Sequence, residues 1–476
     1  MWMVPAAVAA GLGAWRLDGP ALWADELATA GAARLPWPAL MDLLHEVDAV
    51  IGPYYVLMHL WTAAAGESAI ALRLPSVAAI VAATVGVTAI GRRIGGPGAG
   101  TGAGLFFAIL PVTSRYAQEA RPYAMVMAAA ALATVLCLRL MDRPSPVRTA
   151  AYAAGVALAG LLHPLSGALM VAGHAAAAGG RGRGPGRGGR SAWAVGAGAG
   201  LVPVAALMVA GAGQAAQVSW ILLVTWGTVP DIPPAVFGDA AVGGIALALA
   251  LAGGRPARRV TGGQRPAGRR FAMTCLYASA FLPVVLLFVA GSLYPLWVAR
   301  YLLVIVPPVA VLAGSAMAAL GRTRCVALVA VVVMVAMPAH VGIRDDAGHG
   351  QASRAVDEVI GTRARPGDVL VYPDTHPSIG WAPRDIVDRY LPADRRPPDV
   401  LRISPQRTDG RLLAVECPQA ECLGTPDRIW VVRVDEAVDP LLDMTPGKAA
   451  AIASHYREVD RWSGPLLTIV LLRRKR

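Results

Sequence analysis

The chain has 476 residues, of which 55% are hydrophobic and only 16% charged, and its mean hydropathy is +0.52. A soluble globular domain carries about a quarter charged residues, so this balance excludes one oversized soluble core and points to a multi-span membrane protein. The formal net charge of +12 does not mark a nucleic-acid binder, because the basic residues gather in short loops between apolar segments, where they report membrane topology.

In chain order the expected membrane segments are 1–17, 70–90, 99–112, 122–140, 150–162, 165–178, 192–211, 235–252, 271–293, 301–320 and 325–338. Several fall short of the roughly 20 residues that an upright helix needs. No Ala-x-Ala cleavage site precedes a polar mature chain, so the first segment is expected to be retained. Residues 53–65 are apolar but short, and charge decides their placement. If they lie in the interface plane, with Tyr54, Tyr55, His59 and Trp61 at headgroup level, the basic loops 92–93, 143–148, 181–190, 255–270 and 322–324 share one side. The positive-inside rule makes that side cytoplasmic. The expectation is therefore about 11 transmembrane helices in residues 1–340, a cytoplasmic N-terminus, a Gly/Arg linker at 181–190, and an extracytoplasmic domain at 341–476.

The terminal region changes texture. Runs such as Asp368-Val-Leu-Val-Tyr372 and Arg428-Ile-Trp-Val-Val-Arg433 read as strands of a polar α/β domain. The five cysteines show no metal-ligand spacing, but Cys417 and Cys422 share this domain and are placed to bridge if it faces an oxidising compartment.

The residues able to carry chemistry collect on the expected external side. Trp23-Ala-Asp25-Glu26 follows the first apolar segment by a few residues, which puts two carboxylates at the membrane rim. Asp25 has two readings there, a catalytic base or the cap of a helix starting at Glu26. Asp42, His45, Glu46 and Asp48 share that loop, Asp48 just ahead of Pro53-Tyr-Tyr55. The second external turn, Ser114-Arg-Tyr-Ala-Gln-Glu-Ala-Arg-Pro-Tyr123, offers Tyr116, Glu119 and Arg121. Glu119 and Arg121 either pair to brace two helices or divide the work, Glu119 beside Asp25 and the guanidinium on an anionic head group. Arg300-Tyr301 stands at the external mouth of a later span, where arginine also snorkels without any ligand. His163-Pro164 reads as a tight turn or as a further substrate contact. Trp220 and Trp226 stack on a sugar or join an aromatic belt.

In this order and at these separations, Trp23 to Glu26, Asp48 to Tyr55, Arg73-Leu-Pro-Ser76, Gln118 to Tyr123 and Arg300-Tyr301 resemble the GT-C superfamily of polyprenyl-phosphate-dependent glycosyltransferases. The likeness is to bacterial members of the protein mannosyltransferase and aminoarabinose transferase type, and it runs to about residue 340. The chain departs from the family at Gly52-Pro53, where many members carry two prolines. The resemblance implies an inverting transfer of mannose or an arabinose-type sugar from a polyprenyl-phosphate donor to a hydroxyl on a glycan, glycolipid or protein acceptor. It implies Asp25 as base, with Glu26 and Glu119 as further catalytic acids. Asp48, Tyr55, Tyr116, Arg121, His163, Arg300 and Tyr301 are the expected substrate-binding residues. No cofactor is required by the sequence, and a divalent metal bridging acid and phosphate is compatible with it. The competing class is a non-catalytic membrane assembly protein or a lipid-linked glycan transporter, which would be expected to place its acids at mid-membrane on broken helices.

Overall fold

The structure, a computed structural model, describes residues 2–180, 186–214, 220–254, 266–376 and 379–476. The chain forms two compact units: Met1–Leu17, Val50–Tyr54 and Arg73–Gly342 make the first, and Asp18–Ala49, Tyr55–Leu72 and Ile343–Arg476 the second. The chain opens with α1 (Met3–Ala14), α2 (Ala24–Ala33), α3 (Trp37–Glu46) and α4 (Gly52–Ala65). It continues through α5 (Ala69–Ile109), α6 (Pro111–Ala117), α7 (Tyr123–Asp142), α8 (Pro146–Leu162), α9 (Pro164–Gly179) and α10 (Arg187–Gly211). After these come α11 (Ile232–Phe237), α12 (Ala240–Ala252), α13 (Pro266–Leu293), α14 (Val306–Ala319) and α15 (Arg322–Gly342).

Ala, Val and Leu dominate these helices because hydrocarbon offers the backbone no partner, so every N–H and C=O must be satisfied within the segment. Among the described residues six helices are long and apolar enough to cross a membrane: Ala69–Ile109, Tyr123–Asp142, Arg187–Gln214, Gly268–Leu293, Ala299–Ala319 and Arg322–Gly342. A bent pair, Trp226–Phe237 with Ala240–Ala252, makes a seventh if it counts as one span, while Met3–Ala14 and Pro146–Leu162 are shorter apolar helices. The protein is a multi-span α-helical membrane protein.

The breaks between helices have local causes. Residues 70–90 and 99–112, expected as separate spans, lie in the single stretch α5, but Gly96 interrupts it at φ 80°, ψ −172°, just before Pro97. The halves double back: a Cβ on Gly91 would stand 2.9 Å from the Ala99 carbonyl oxygen, and one on Gly100 would stand 2.8 Å from that of Thr88. Arg92 and Arg93 thus end the first half as helical residues. The expected span 235–252 starts late, at Ala240, because Gly238 turns left-handed at φ 85° and the Asp239 carboxylate then accepts from Val242 N at 2.9 Å to cap α12. The expected span 301–320 begins as a 3-10 turn, Ala299–Ile305, and turns α-helical only at Val306, where Pro307 and Pro308 occupy the first turn. Residues 181–185 of the expected Gly/Arg linker and 255–265 of the next basic loop lie outside the described residues, while Arg187 to Arg190 begin α10.

One polar group inside the helical unit shows how such groups are met. His174 takes Thr134 Oγ1 at 3.2 Å and Tyr152 Oη at 3.0 Å on its two ring nitrogens, and Trp193 Nε1 donates to the same tyrosine oxygen at 3.0 Å. An unmet polar side chain in this apolar setting would be costly.

In the second unit, α16 (Ala355–Arg363), α17 (Ala382–Tyr390) and α18 (Pro446–His455) accompany a four-stranded sheet. Its strands are β1 (Val369–Val371), β4 (Arg428–Arg433), β5 (Tyr456–Gly464) and β6 (Leu467–Arg474), in the order β1-β4-β6-β5, while β2 (Arg402–Ser404) and β3 (Val415–Glu416) form a separate pair. The two runs expected as strands are neighbours: β1 lies parallel to β4 with Val369 opposite Ile429, and β6 joins β4 antiparallel. All six residues of β4 are buried, and Trp430 donates from Nε1 to Asp368 Oδ2 at 2.8 Å. Cys417 and Cys422 are joined as a disulfide. The region is a mixed α/β domain, and its compact unit also takes in 18–49 and 55–72 from the N-terminal part of the chain.

The doubled-back geometry of α5 is testable. Gly100→Leu forces a side chain into the other half and should lower stability by about 1–3 kcal/mol, the usual penalty of overpacking. Gly98→Ala, where a Cβ meets nothing within 4 Å, should be nearly silent. Equal melting temperatures for the two variants in detergent would contradict the packing.

Candidate active site

Each unit carries one group of candidate residues. In the second unit the group is built on the first turn of α2. Trp23 is the N-cap, in extended conformation and without a side-chain cap, and Asp25 is the second residue inside the helix. The capping alternative for Asp25 therefore does not describe this turn: the Ala24 N–H is taken instead by Gln351 Oε1 at 3.1 Å.

The segment after α15 supplies the rest of the hold. Ser353 Oγ donates to the Leu22 carbonyl at 2.8 Å and receives Gln351 Nε2 at 2.9 Å. Leu22 N–H donates to Tyr390 Oη at 2.6 Å, and Ala21 N–H to the Asp346 carbonyl at 2.8 Å. Arg354 grips the carbonyls of Asp18 and Gly19 at 2.8 and 2.5 Å. Glu26, with no exposure at all, meets His349 Nδ1 through Oε2 at 3.3 Å, and both side chains are sealed from solvent. Glu26 thus anchors the helix, while Asp25 beside it is only half-buried.

The structure brings Asp48 and Tyr55 together. Asp48 sits in the left-handed region at φ 58°, and Tyr55 Oη donates to its Oδ2 at 3.1 Å. Arg407 lies within electrostatic reach of both. Burial works against its charge, but Asp385 above all, with Tyr55 and Asp48 behind it, holds the guanidinium above its ordinary pKa. Asp42 and Glu46 of α3 receive the turn at Gly410, where a Cβ would stand 2.8 Å from Glu46 Cγ.

In the first unit the turn between α6 and α7 is tied to the end of α1. Gln118 Nε2 donates to the carbonyls of Gly13 and Trp15 at 3.1 and 2.7 Å, which satisfies the open end of that helix. Arg73 Nη1 donates to the Leu17 carbonyl at 2.8 Å, and Ser76 Oγ to the Glu119 carbonyl at 2.6 Å. Arg73-Leu-Pro-Ser76 is thus a brace for this turn. Glu119 is buried and forms its ion pair with Arg115, one helical turn back. Helix α6 ends at Ala117, so Glu119 and Arg121 both lie in the corner that leads to α7.

Beside that turn runs a chain of rings. Tyr116 meets Tyr123 edge-on at 5.5 Å, Tyr123 meets His163 at 5.8 Å, and His163 meets Tyr301 at 4.5 Å. The Arg300 guanidinium lies 5.8 Å from the Tyr123 ring and 5.7 Å from that of Trp220. Four predicted residues, Tyr116, His163, Arg300 and Tyr301, therefore share one cluster, with buried Arg121 on the same turn as Tyr123. Tyr123 was missed as a site residue, although it closes the quoted Gln118 to Tyr123 run. His163 spends Nδ1 on capping α9, accepting from Ser166 N at 3.2 Å, and Ser166 Oγ donates on to the Tyr301 carbonyl at 2.9 Å. An arginine among aromatic faces is a fit surface for an anionic group attached to an apolar chain.

Over nearly its whole length the fold resembles solved structures. ArnT from Cupriavidus metallidurans bound to undecaprenyl phosphate matches with a TM-score of 0.58 at 13% identity, covering 98% of this chain and 97% of that one. The apo state of the same protein matches with a TM-score of 0.58 at 14% identity over the same shares. The chain shares the fold of that protein over nearly the full length of both. The arabinofuranosyltransferase AftD from mycobacteria (mutant R1389S) aligns with a TM-score of 0.47 at 17% identity, over 99% of this chain and 41% of that one. No protein-family model and no curated protein matches the sequence.

Among the described residues, the set of three metal-type ligands in mutual reach is His376, Asp435 and Asp443, within 4.8 Å of one another. It fits a metal poorly, because Arg433 already stands there as the cation, 2.7 Å from Asp435 Oδ2 and 3.5 Å from Asp443 Oδ2.

The buried Glu26–His349 contact predicts coupled stability. Glu26→Ala or His349→Ala alone should cost about 1–3 kcal/mol, the penalty of leaving a buried polar group unmet. Replacing both by leucine should cost less than the two single losses added together. Strict additivity in thermal unfolding of the detergent-purified protein would show that the pair does not act as a unit.

Proposed function

We propose that the protein is an inverting glycosyltransferase that moves a mannose or arabinose-type sugar from a polyprenyl-phosphate donor to a hydroxyl of a glycan, glycolipid or protein acceptor. The observation that carries this reading is the likeness in fold, over nearly the full length of both chains, to a protein solved with undecaprenyl phosphate. The two residue groups supply what such a reaction asks of a protein.

A polyprenyl-phosphate sugar arrives with its leaving group already formed, so the enzyme must deprotonate the acceptor, balance charge on phosphate and align the partners. In the proposed reaction Asp25 takes the acceptor hydroxyl proton. The acceptor oxygen then bonds to the anomeric carbon as the bond from that carbon to the phosphate oxygen breaks. Polyprenyl phosphate leaves with the electron pair, and a single displacement inverts the anomeric carbon. Arg300, with Arg121 as its neighbour in the same unit, meets the phosphate, while Tyr116, Tyr123 and Tyr301 line the approach of its apolar chain. Glu26 orients the helix that carries Asp25, and Glu119 is the next acid in line. No step requires a metal.

The site is proposed to face outward, with the N-terminus and the basic loops in the cytoplasm. Val438, in the second unit, is 87% exposed and is a good reporter. In intact cells Val438→Cys should react with a membrane-impermeant thiol reagent and Gly186→Cys should not. Reaction of Gly186→Cys alone would invert the arrangement and remove the outward-facing site.

Asp25 is the sharpest test. Asp25→Asn should retain donor binding while turnover falls by about 10²-fold or more, the scale of losing a positioned base. Arg300→Ala should instead weaken donor binding. Wild-type turnover in D25N would take Asp25 out of the mechanism and leave Glu119 as base.

A further inference from the structure

In the second unit, α2 and α17 enclose a cavity of about 220 Å³. One wall is the stripe Leu27, Ala30, Gly31 and Arg34 along α2; the others come from α17, with Asp385, Asp388 and Arg389, and from the chain at Pro405, Gln406 and Arg407. The base is fixed. Arg407 binds Asp385 through both terminal nitrogens, at 3.0 and 2.6 Å, and stands 5.6 Å from the Trp381 ring. Helix α2 lies directly on this guanidinium: a Cβ on Gly31 would stand 2.4 Å from Arg407 Cζ, so any larger residue there would have to displace the guanidinium from Asp385.

Gln406 is the telling side chain. Its Nε2 donates to Asp385 Oδ1 at 3.0 Å, which fixes the amide, and its Oε1 is then buried with no hydrogen-bond partner. A buried acceptor left in this state calls for a donor. The charges around it are already balanced within the protein: Arg407 by Asp385, Arg34 by Glu67, and Asp388 by Arg396 at 2.5 Å. Arg389 donates to the Glu67 carbonyl at 3.0 Å. The walls therefore offer hydrogen bonds of both signs with most of their charge already paired, and Leu27 with Pro405 adds an apolar side. A ring of hydroxyl groups matches each of these features, since it donates to Gln406 Oε1 and the aspartates, accepts from the arginines and lays its C–H face on the leucine.

We propose that this cavity is a carbohydrate-binding site that takes one sugar ring. At 100° per residue the stripe Leu27, Ala30, Gly31 and Arg34 faces away from Asp25, so the sugar held here is not the one that reacts. On the transferase reading, on which this step alone rests, it is a remote residue of an oligosaccharide acceptor, which makes the preferred acceptor longer than one sugar.

Saturation-transfer NMR on the full chain in detergent tests this, with methyl α-mannopyranoside, methyl α-arabinofuranoside and methyl β-glucopyranoside as probes and inorganic phosphate as the anion control. At least one glycoside should bind. Gln406→Leu and Arg389→Ala, each checked for an unchanged melting profile, should weaken it about fivefold or more, the scale of a lost buried hydrogen bond. Failure of all three glycosides to bind, equal binding by both variants, or displacement of the glycoside by phosphate would overturn the site. Donor turnover by the wild-type protein is read separately. Binding without turnover keeps the cavity and removes the transferase reading, whereas turnover without binding does the opposite.

Discussion

A fully buried glutamate has to be answered by something, and the answer to Glu26 decides how the second unit is made. A carboxylate cut off from water is tolerated only with a partner at hand. Here the partner, His349, lies more than three hundred residues further along the chain. Gln351, Ser353 and Arg354 follow it and bind the backbone from Asp18 to Ala24. A loop that composition alone would leave as a mobile external connection becomes a held helix start. Asp25 inherits its backbone position from this hold.

The helical unit solves a related problem with different residues. Helix ends expose carbonyl groups that find no water in an apolar surrounding. Gln118 and Arg73 reach the last carbonyls of α1 and of the residues after it, and Ser76 fixes the backbone of Glu119. Residues that look in sequence like parts of a binding motif are thus brackets for the turn that bears Glu119 and Arg121. These hydrogen bonds of the brackets go to backbone atoms, so they hold the turn whatever side chains the bonded residues carry.

Much of this was legible in the sequence and some was not, for physical reasons. Apolar segments announced the helices because lipid demands long runs of one composition. The strands 369–371 and 428–433 stood out as short β-branched runs, and the pairing of Cys417 with Cys422 followed from proximity in the chain. Helix ends were less visible. Gly96 and Gly238 act through a backbone angle that an apolar run conceals, and Arg300-Tyr301 proved to sit in a 3-10 turn. The partners of the acids were hidden altogether. Arg115, four residues before Glu119 and inside α6, was not singled out as its partner, and His349 was unreadable as the partner of Glu26 because nothing periodic links positions so distant. In sequence Tyr123 is only the edge of the Gln118 to Tyr123 run, whereas in the fold it is the centre of a ring cluster.

The division of the second unit along the chain has a consequence for biosynthesis. Residues 18–49 and 55–72 leave the ribosome early, but the residues that hold them, from 343 onward, emerge only after α15 has been made. Domains tend to fold as units while the chain is still growing, and this one cannot. Throughout the insertion of the helices Glu26 has no His349 to meet, and the helix start at Trp23 lacks Gln351. The nascent protein therefore passes through a long interval with an acidic, incomplete loop, during which the hold on the start of α2 does not yet exist. Completion of the active conformation is thereby tied to completion of the chain, so that a truncated translation product ends as an inserted helical bundle with no ordered first turn in α2.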